Sequence, residues 1–86
     1  MEISFDKAKD EANIQNRKLS FSDVINFDFE TALIWHDTRM RYTEIRMVVI
    51  GYVIQRLHVL CFCETLNGIR VISFRKANPR EVKKYE

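Results

Sequence analysis

Arg70-Val71-Ile72-Ser73-Phe74-Arg75-Lys76-Ala77 is an apolar, largely β-branched run with a cation at each end, and such a run reads as a strand. Asn67-Gly68 before it is a turn signal. Asn78-Pro79 after it opens Arg80-Glu81-Val82-Lys83-Lys84-Tyr85-Glu86, which reads as a helix of about two turns. Val82 and Tyr85 give that helix one small apolar stripe. No stop signal precedes the last residue, so the helix reads as cut short.

Working outward, Arg56 to Thr65 and Glu44 to Ile54 are long and rich in Val, Ile, Leu, Cys and Phe, and Thr31-Ala32-Leu33-Ile34-Trp35-His36 is strand-like. The polar stretch from Asp37 to Thr43 reads as a loop. The simplest topology for these strands is an antiparallel meander. A two-residue loop at Asn67-Gly68 pairs Thr65 with Arg70, and a like loop at Gln55-Arg56 brings Arg46 opposite the same Thr65. Arg46, Thr65 and Arg70 then form one row, with the arginine backbones about 10 Å apart and their side chains converging on one phosphate. Glu44 extends that face, and its floor is Val48, Ile50, Leu57, Val59, Cys61, Cys63, Ile72 and Phe74. The opposite face collects Ile45, Met47, Val49, Val53, Leu60, Phe62, Ile69 and Val71, with His58 and Arg56 near one end and Ser73 and Arg75 among them.

Toward the N-terminus, Glu2 to Phe5 is short enough for an edge strand or a lead-in. Asp6 then caps a surface helix over Lys7 to Lys18 with a thin apolar stripe. Ser20 caps a second helix from about Phe21 to Asn26, whose apolar face is the stronger. The expected fold class is α+β: an antiparallel sheet of about four strands, two N-terminal helices packed on one face and a short C-terminal helix. A sheet apolar on both sides needs two covers, and the last helix is too small to be a complete one. An exposed apolar patch is therefore expected, and such patches mark binding sites.

At 86 residues the chain has room for one domain, residues 1–86, whose core buries roughly 60 to 65% of the unfolded surface. Residues 1–37 carry four basic and eight acidic side chains, a balance of −4, and residues 38–86 carry ten and four, a balance of +6. The basic part points to a polyanion or an acidic protein segment, or to solvated arginines alone. Cys61 and Cys63 share a strand face and read as packing, and His36 and His58 add no ligand spacing, so no metal site is expected. There is no signal core and no apolar run of about 20 residues. The expected location is the reducing cytoplasm, away from membranes.

No Gly-rich phosphate loop, CxxC pair, HExxH helix or Ser/His/Asp ordering is present. What remains is a set of arginines with a few acids, which suits cleavage of RNA by attack of a 2′-hydroxyl on its neighbouring phosphate, a reaction that needs no cofactor. Arg46, Arg70 and Arg75 would neutralise the pentavalent phosphate. Glu44 would take the 2′-hydroxyl proton or, since adjacent arginines depress its basicity, would only orient Arg46. Thr65, Lys76 and Arg41 are the further candidates for RNA contact.

In order along the chain stand Asp6-Lys7-Ala8, Asn13, Ser20-Phe21, Glu44-Ile45-Arg46, Ile50-Gly51, the run Arg70 to Ala77, then Glu81 and Tyr85. In this the chain resembles the BrnT toxins of bacterial type II toxin–antitoxin systems, over nearly its whole length. The resemblance implies a RelE-like fold and metal-independent ribonuclease activity that shuts down translation. It also implies neutralisation by a cognate BrnA-like antitoxin that binds operator DNA, so that the toxin meets that DNA only indirectly. One departure stands out: the family's Lys-His-Gly element reads Asn16-Arg17-Lys18 here, and an arginine cannot replace a histidine as a proton carrier. The second reading is therefore a weakened homologue serving as a protein or nucleic-acid binding module.

Overall fold

The computed structural model describes residues 1–38 and 43–86. Its strands are β1 (Glu2–Phe5), β2 (Leu33–His36), β3 (Met47–Val53), β4 (Arg56–Glu64) and β5 (Gly68–Lys76), and its α-helices are α1 (Lys7–Arg17) and α2 (Pro79–Tyr85). The sheet order is β1-β5-β4-β3-β2. β2 to β5 form the expected antiparallel meander. The strand count is five rather than about four, because the Glu2–Phe5 lead-in docks parallel to β5, from Glu2 beside Gly68 to Phe5 beside Val71. Gly68 permits this approach. A Cβ there would collide with the Glu2 carbonyl oxygen and lie 2.6 Å from the Glu2 nitrogen.

The second N-terminal helix is a 3-10 helix, Phe21–Asn26, not an α-helix. It is pinned at both ends. Asp10 Oδ1 accepts from Phe21 N at 2.7 Å and from Ser20 Oγ at 3.1 Å, while Phe27 bridges to Val53 on β3. The greater rise per residue of a 3-10 helix lets six residues span that fixed gap. Gly51 makes room for the Phe27 ring, since a Cβ there would stand 2.8 Å from it.

As the thin stripe predicts, α1 buries no residue; polar bonds hold it. Asn13 Nδ2 donates to Leu19 O and to Phe74 O, both at 2.9 Å. The second bond satisfies β5 beyond the point where β1 ends, so the helix takes over from a strand there. At the end of α1, Lys18 takes the left-handed conformation at φ 57, where glycine costs least. This is the position at which the resemblance would place one. Below lies the main core, in which Phe21, Val24 and Phe27 pack on Val49, Leu60, Phe62, Val71 and Phe74.

The loop of the β3–β4 hairpin is Ile54-Gln55, with Val53 opposite Arg56, not Gln55-Arg56. The β4–β5 loop is likewise Leu66-Asn67, with Glu64 opposite Ile69 and Thr65 N bonded to Gly68 O. Burial of the long apolar strands outweighs local turn preference here: Ile54 accepts a positive φ of 59. Asn67-Gly68 lacks a positive-φ glycine, because Gly68 is needed as the smallest neighbour for β1. A register shift next to Cys61 and Phe62 then resets β5, so that Phe62 faces Val71 but Cys61 faces Ser73. This bulge moves Phe74 to the helix-covered face, where it is 1% exposed, and moves Ser73 and Arg75 to the other, reversing the assignment expected from plain alternation.

His58 is buried, its ring stacked on Phe74 at 5.3 Å, and Nδ1 donates to Arg56 O at 2.8 Å. Burial, aided by Arg56 and Lys76, outweighs that bond and holds its pKa below the ordinary 6.5. The unfolded chain therefore takes up a proton that the folded chain resists. The stabilisation is full above pH 6.5 and is lost as pH falls below it toward the folded pKa. Urea midpoints measured between pH 7.5 and pH 5 should decline, and His58→Leu should flatten that decline. Separately, Gly68→Ala should cost about 2 kcal/mol or more in urea denaturation, since β1 must move to admit a methyl group.

Candidate active site

The face not covered by α1 is only half covered by α2. Val82 and Tyr85 pack with Trp35 on Ile50, Leu57, Val59 and Ala77. Tyr85 Oη donates to Thr31 O at 3.0 Å, and Lys84 Nζ stands 4.0 Å from the Trp35 ring centroid. Asn78 opens α2 with a reciprocal box: its Oδ1 accepts from Glu81 N and its own N donates to Glu81 Oε1, both at 2.9 Å. The rest of this face carries the charged residues.

The two hairpin loops are each displaced by one residue, and the displacements cancel. Met47 is opposite Phe62, so Arg46, one residue earlier, comes level with Cys63, which is opposite Arg70. The row is thus Arg46, Cys63 and Arg70, with Cys63 where Thr65 was expected. Thr65 sits exposed at the β4–β5 hairpin end. Glu44 joins the row through Arg70, whose Nη2 donates to Glu44 Oε1 at 2.6 Å. It therefore orients Arg70, the arginine the sequence did not pair with it.

The Cys63 thiol lies at the centre of this group. Burial pushes its pKa up, a hydrogen bond with Glu44 and that carboxylate's charge push the same way, and Arg70 and Arg46 pull down. The thiol therefore stays protonated and reads as a neutral packing group and donor.

Arg75 shares the face because of the bulge, opposite Val59. Its guanidinium donates to both carboxylate oxygens of Glu81 at 2.7 Å, and this holds the Glu81 carboxyl below the usual range. Lys76 is opposite the buried His58 and so belongs to the other face. Arg41 lies outside the described residues.

Beside Arg75 a cleft of about 220 Å³ opens over Val48, Val59 and Cys61. One wall is Trp35, His36, Asp37 and Thr38, and the other Ser73, Arg75 and Glu81. Sequence reasoning missed Trp35, Asp37, Ser73 and Glu81 as neighbours. The alternation of Thr31–His36 put Trp35 on one face without saying which, since a long loop fixes no register, and the bulge hid Ser73. Among the described residues, no three His, Cys, Asp or Glu side chains stand together as a metal site. No helix there is long and apolar enough to cross a membrane.

This face thus carries Arg46, Arg70 and Arg75, with Arg70 on Glu44 and Arg75 on Glu81. Residues 5–81 match the model of the family described as ribonuclease toxin, BrnT, of type II toxin–antitoxin system. The chain therefore belongs to the BrnT family. Comparison with curated proteins gives no match.

The Arg75–Glu81 pair is bidentate and part-buried, with side chains 33% and 22% exposed, so it should couple more strongly than an exposed ion pair. A double-mutant cycle with Arg75→Met and Glu81→Gln should give about 1 kcal/mol of coupling by urea denaturation. A value near zero would mean that the pair does not anchor α2.

Proposed function

We propose that the chain is a metal-independent endoribonuclease that cuts RNA, inhibits translation in the cytoplasm and is neutralised by a cognate BrnA-like, DNA-binding antitoxin. Operator DNA is reached only through that antitoxin, and the mixed sheet with its helix cover is taken as a RelE-like fold. The observation that carries this reading is the Arg46, Cys63, Arg70 row on the open half of the sheet, with Glu44 on Arg70, in a chain of a ribonuclease family.

In the proposed reaction the scissile phosphate enters between Arg46 and Arg70 and displaces Glu44. The displaced carboxylate accepts the 2′-hydroxyl proton. The 2′-oxygen bonds to phosphorus, the bond from phosphorus to the 5′-oxygen breaks, and that oxygen takes a proton from solvent. The products are a 2′,3′-cyclic phosphate and a 5′-hydroxyl. Both guanidiniums stabilise the extra charge of the pentavalent state. Arg75 adds field from two rows away, and Thr65 and Arg41 contact the flanking RNA, while Lys76 lies on the other face.

Arg17, standing where the resemblance implies histidine, favours the second reading, a weakened homologue that binds RNA and antitoxin. Incubation with RNA in the presence of chelator separates the two. The chain should leave cyclic-phosphate ends, and Arg46→Ala/Arg70→Ala should slow cleavage by about a thousandfold or more with its circular dichroism unchanged. Equal cleavage by both proteins would remove the site. RNA binding without cleavage would leave the binding module.

A further inference from the structure

We propose that Cys63 is a positioning residue: its thiol donates to the Glu44 carboxylate and keeps that base in the arginine row when Arg70 turns to a phosphate. The inference rests on the ribonuclease reading and adds to it the group that holds the base in place.

The need for such a group comes from where Glu44 stands. It precedes β3, which begins at Met47, so the ladder that fixes β3 does not reach it. Its carboxylate meets Arg70 Nη2 through one bond of 2.6 Å, between side chains 40% and 45% exposed. The proposed reaction gives up that bond, because the phosphate takes the Arg70 donors. A general base must lie within about 2.6 to 3.2 Å of the proton it accepts. An exposed carboxylate with no other hold would lose that placement to rotamer freedom.

Cys63 supplies the second hold. It is opposite Arg70 on β5 and, through the pairing of Met47 with Phe62, level with Arg46 on β3. Strands lie about 4.8 Å apart, which puts Cys63 midway between the two arginines, on the floor of the slot that the phosphate enters. The thiol is hydrogen-bonded to Glu44, and both residues line a hollow of about 420 Å³ with Ile45 and Met47. Burial and the nearby carboxylate keep the proton on sulfur, so the thiol is the donor. Cys63 is 4% exposed and β4 has a strand on each side, so this donor stays where it is when a phosphate arrives.

Charge decides which of the two holds on Glu44 yields. Each arginine offers an anion several donors in a fork, whereas the neutral thiol offers one weak donor. The phosphate therefore settles on Arg46 and Arg70 and leaves the thiol to the carboxylate. The thiol keeps its own proton throughout, and the carboxylate accepts the one from the 2′-hydroxyl.

The infrared S–H stretching band reads this contact without any turnover. The band that disappears in Cys63→Ala belongs to Cys63. It should move to higher frequency in Glu44→Gln, whose amide is the weaker acceptor, and stay in place in Arg70→Ala, where the thiol alone holds the carboxylate. A band unmoved in Glu44→Gln, or moved as far in Arg70→Ala, would overturn the inference. On RNA, Cys63→Ala should lower kcat at least about tenfold, the scale of a hydrogen bond to a charged group, with KM unchanged. Cys63→Val, which fills the site without a donor, should do the same, and Cys63→Ser, which keeps a donor, should restore most of kcat. Cleavage with a kcat indifferent to these changes would sink the positioning role and leave the ribonuclease. A chain that does not cut RNA would remove the ribonuclease and the positioning role together, and the band would then report a contact only.

Discussion

The open face depends on one irregularity in β5. Residues five apart on a regular strand point to opposite sides of a sheet, so Arg70 and Arg75 could not share a surface without an extra residue between them. The shift between Phe62 opposite Val71 and Cys61 opposite Ser73 supplies it. The same residue turns Phe74 inward, where it is 1% exposed and packs on Leu60, Phe27 and His58. Core burial and site assembly are thus two results of a single register change. Removing one residue there would bring Phe74 out onto the charged face and Arg75 beneath the helices, a cost of several kcal/mol from the aromatic ring and the desolvated cation together.

The two faces are covered by different means, and that difference leaves the site accessible. On the core side α1 contributes no buried residue and is tethered by Asn13 and Asp10, while the 3-10 helix and Phe27 deliver the apolar bulk. On the other side α2 has only Val82 and Tyr85 to offer. Its remaining hold is polar, through Glu81 on Arg75 and Tyr85 on Thr31. Seven residues held in this way cover the Leu57 and Ala77 end.

Much of this was legible in the residues. Apolar alternation located β2 to β5 and both faces of β3 and β4, because a displacement of a hairpin loop by one residue moves the register by two and leaves side-chain parity intact. For the same reason the pairing of Arg46 with Arg70 survived two misplaced loops, while the residue between them changed from Thr65 to Cys63. The bulge was not legible. It sits in a β-branched run with no glycine to mark it, and its cause is the core environment of Phe74. The docking of β1 was hidden as well, since four residues carry little periodicity and their partner is Gly68, whose local signal reads as a turn. Trp35 and Asp37 became site residues through long-range pairing alone, with Trp35 beside Val48.

Arg70 and Arg75 are held by their carboxylates with unequal strength. Arg70 and Glu44 have side chains 45% and 40% exposed and meet through one bond, and such pairs contribute about 0 to 1 kcal/mol. In the proposed reaction a phosphodiester, with a like single charge and two available oxygens, exchanges with a carboxylate held so weakly. Arg75 is gripped by both oxygens of a carboxylate that also caps α2. Releasing it would cost the ion pair and the helix start together. In the proposed reaction Arg70 is therefore the arginine that exchanges partners when a phosphate arrives. Arg75, held in this way, stands as a wall of the cleft.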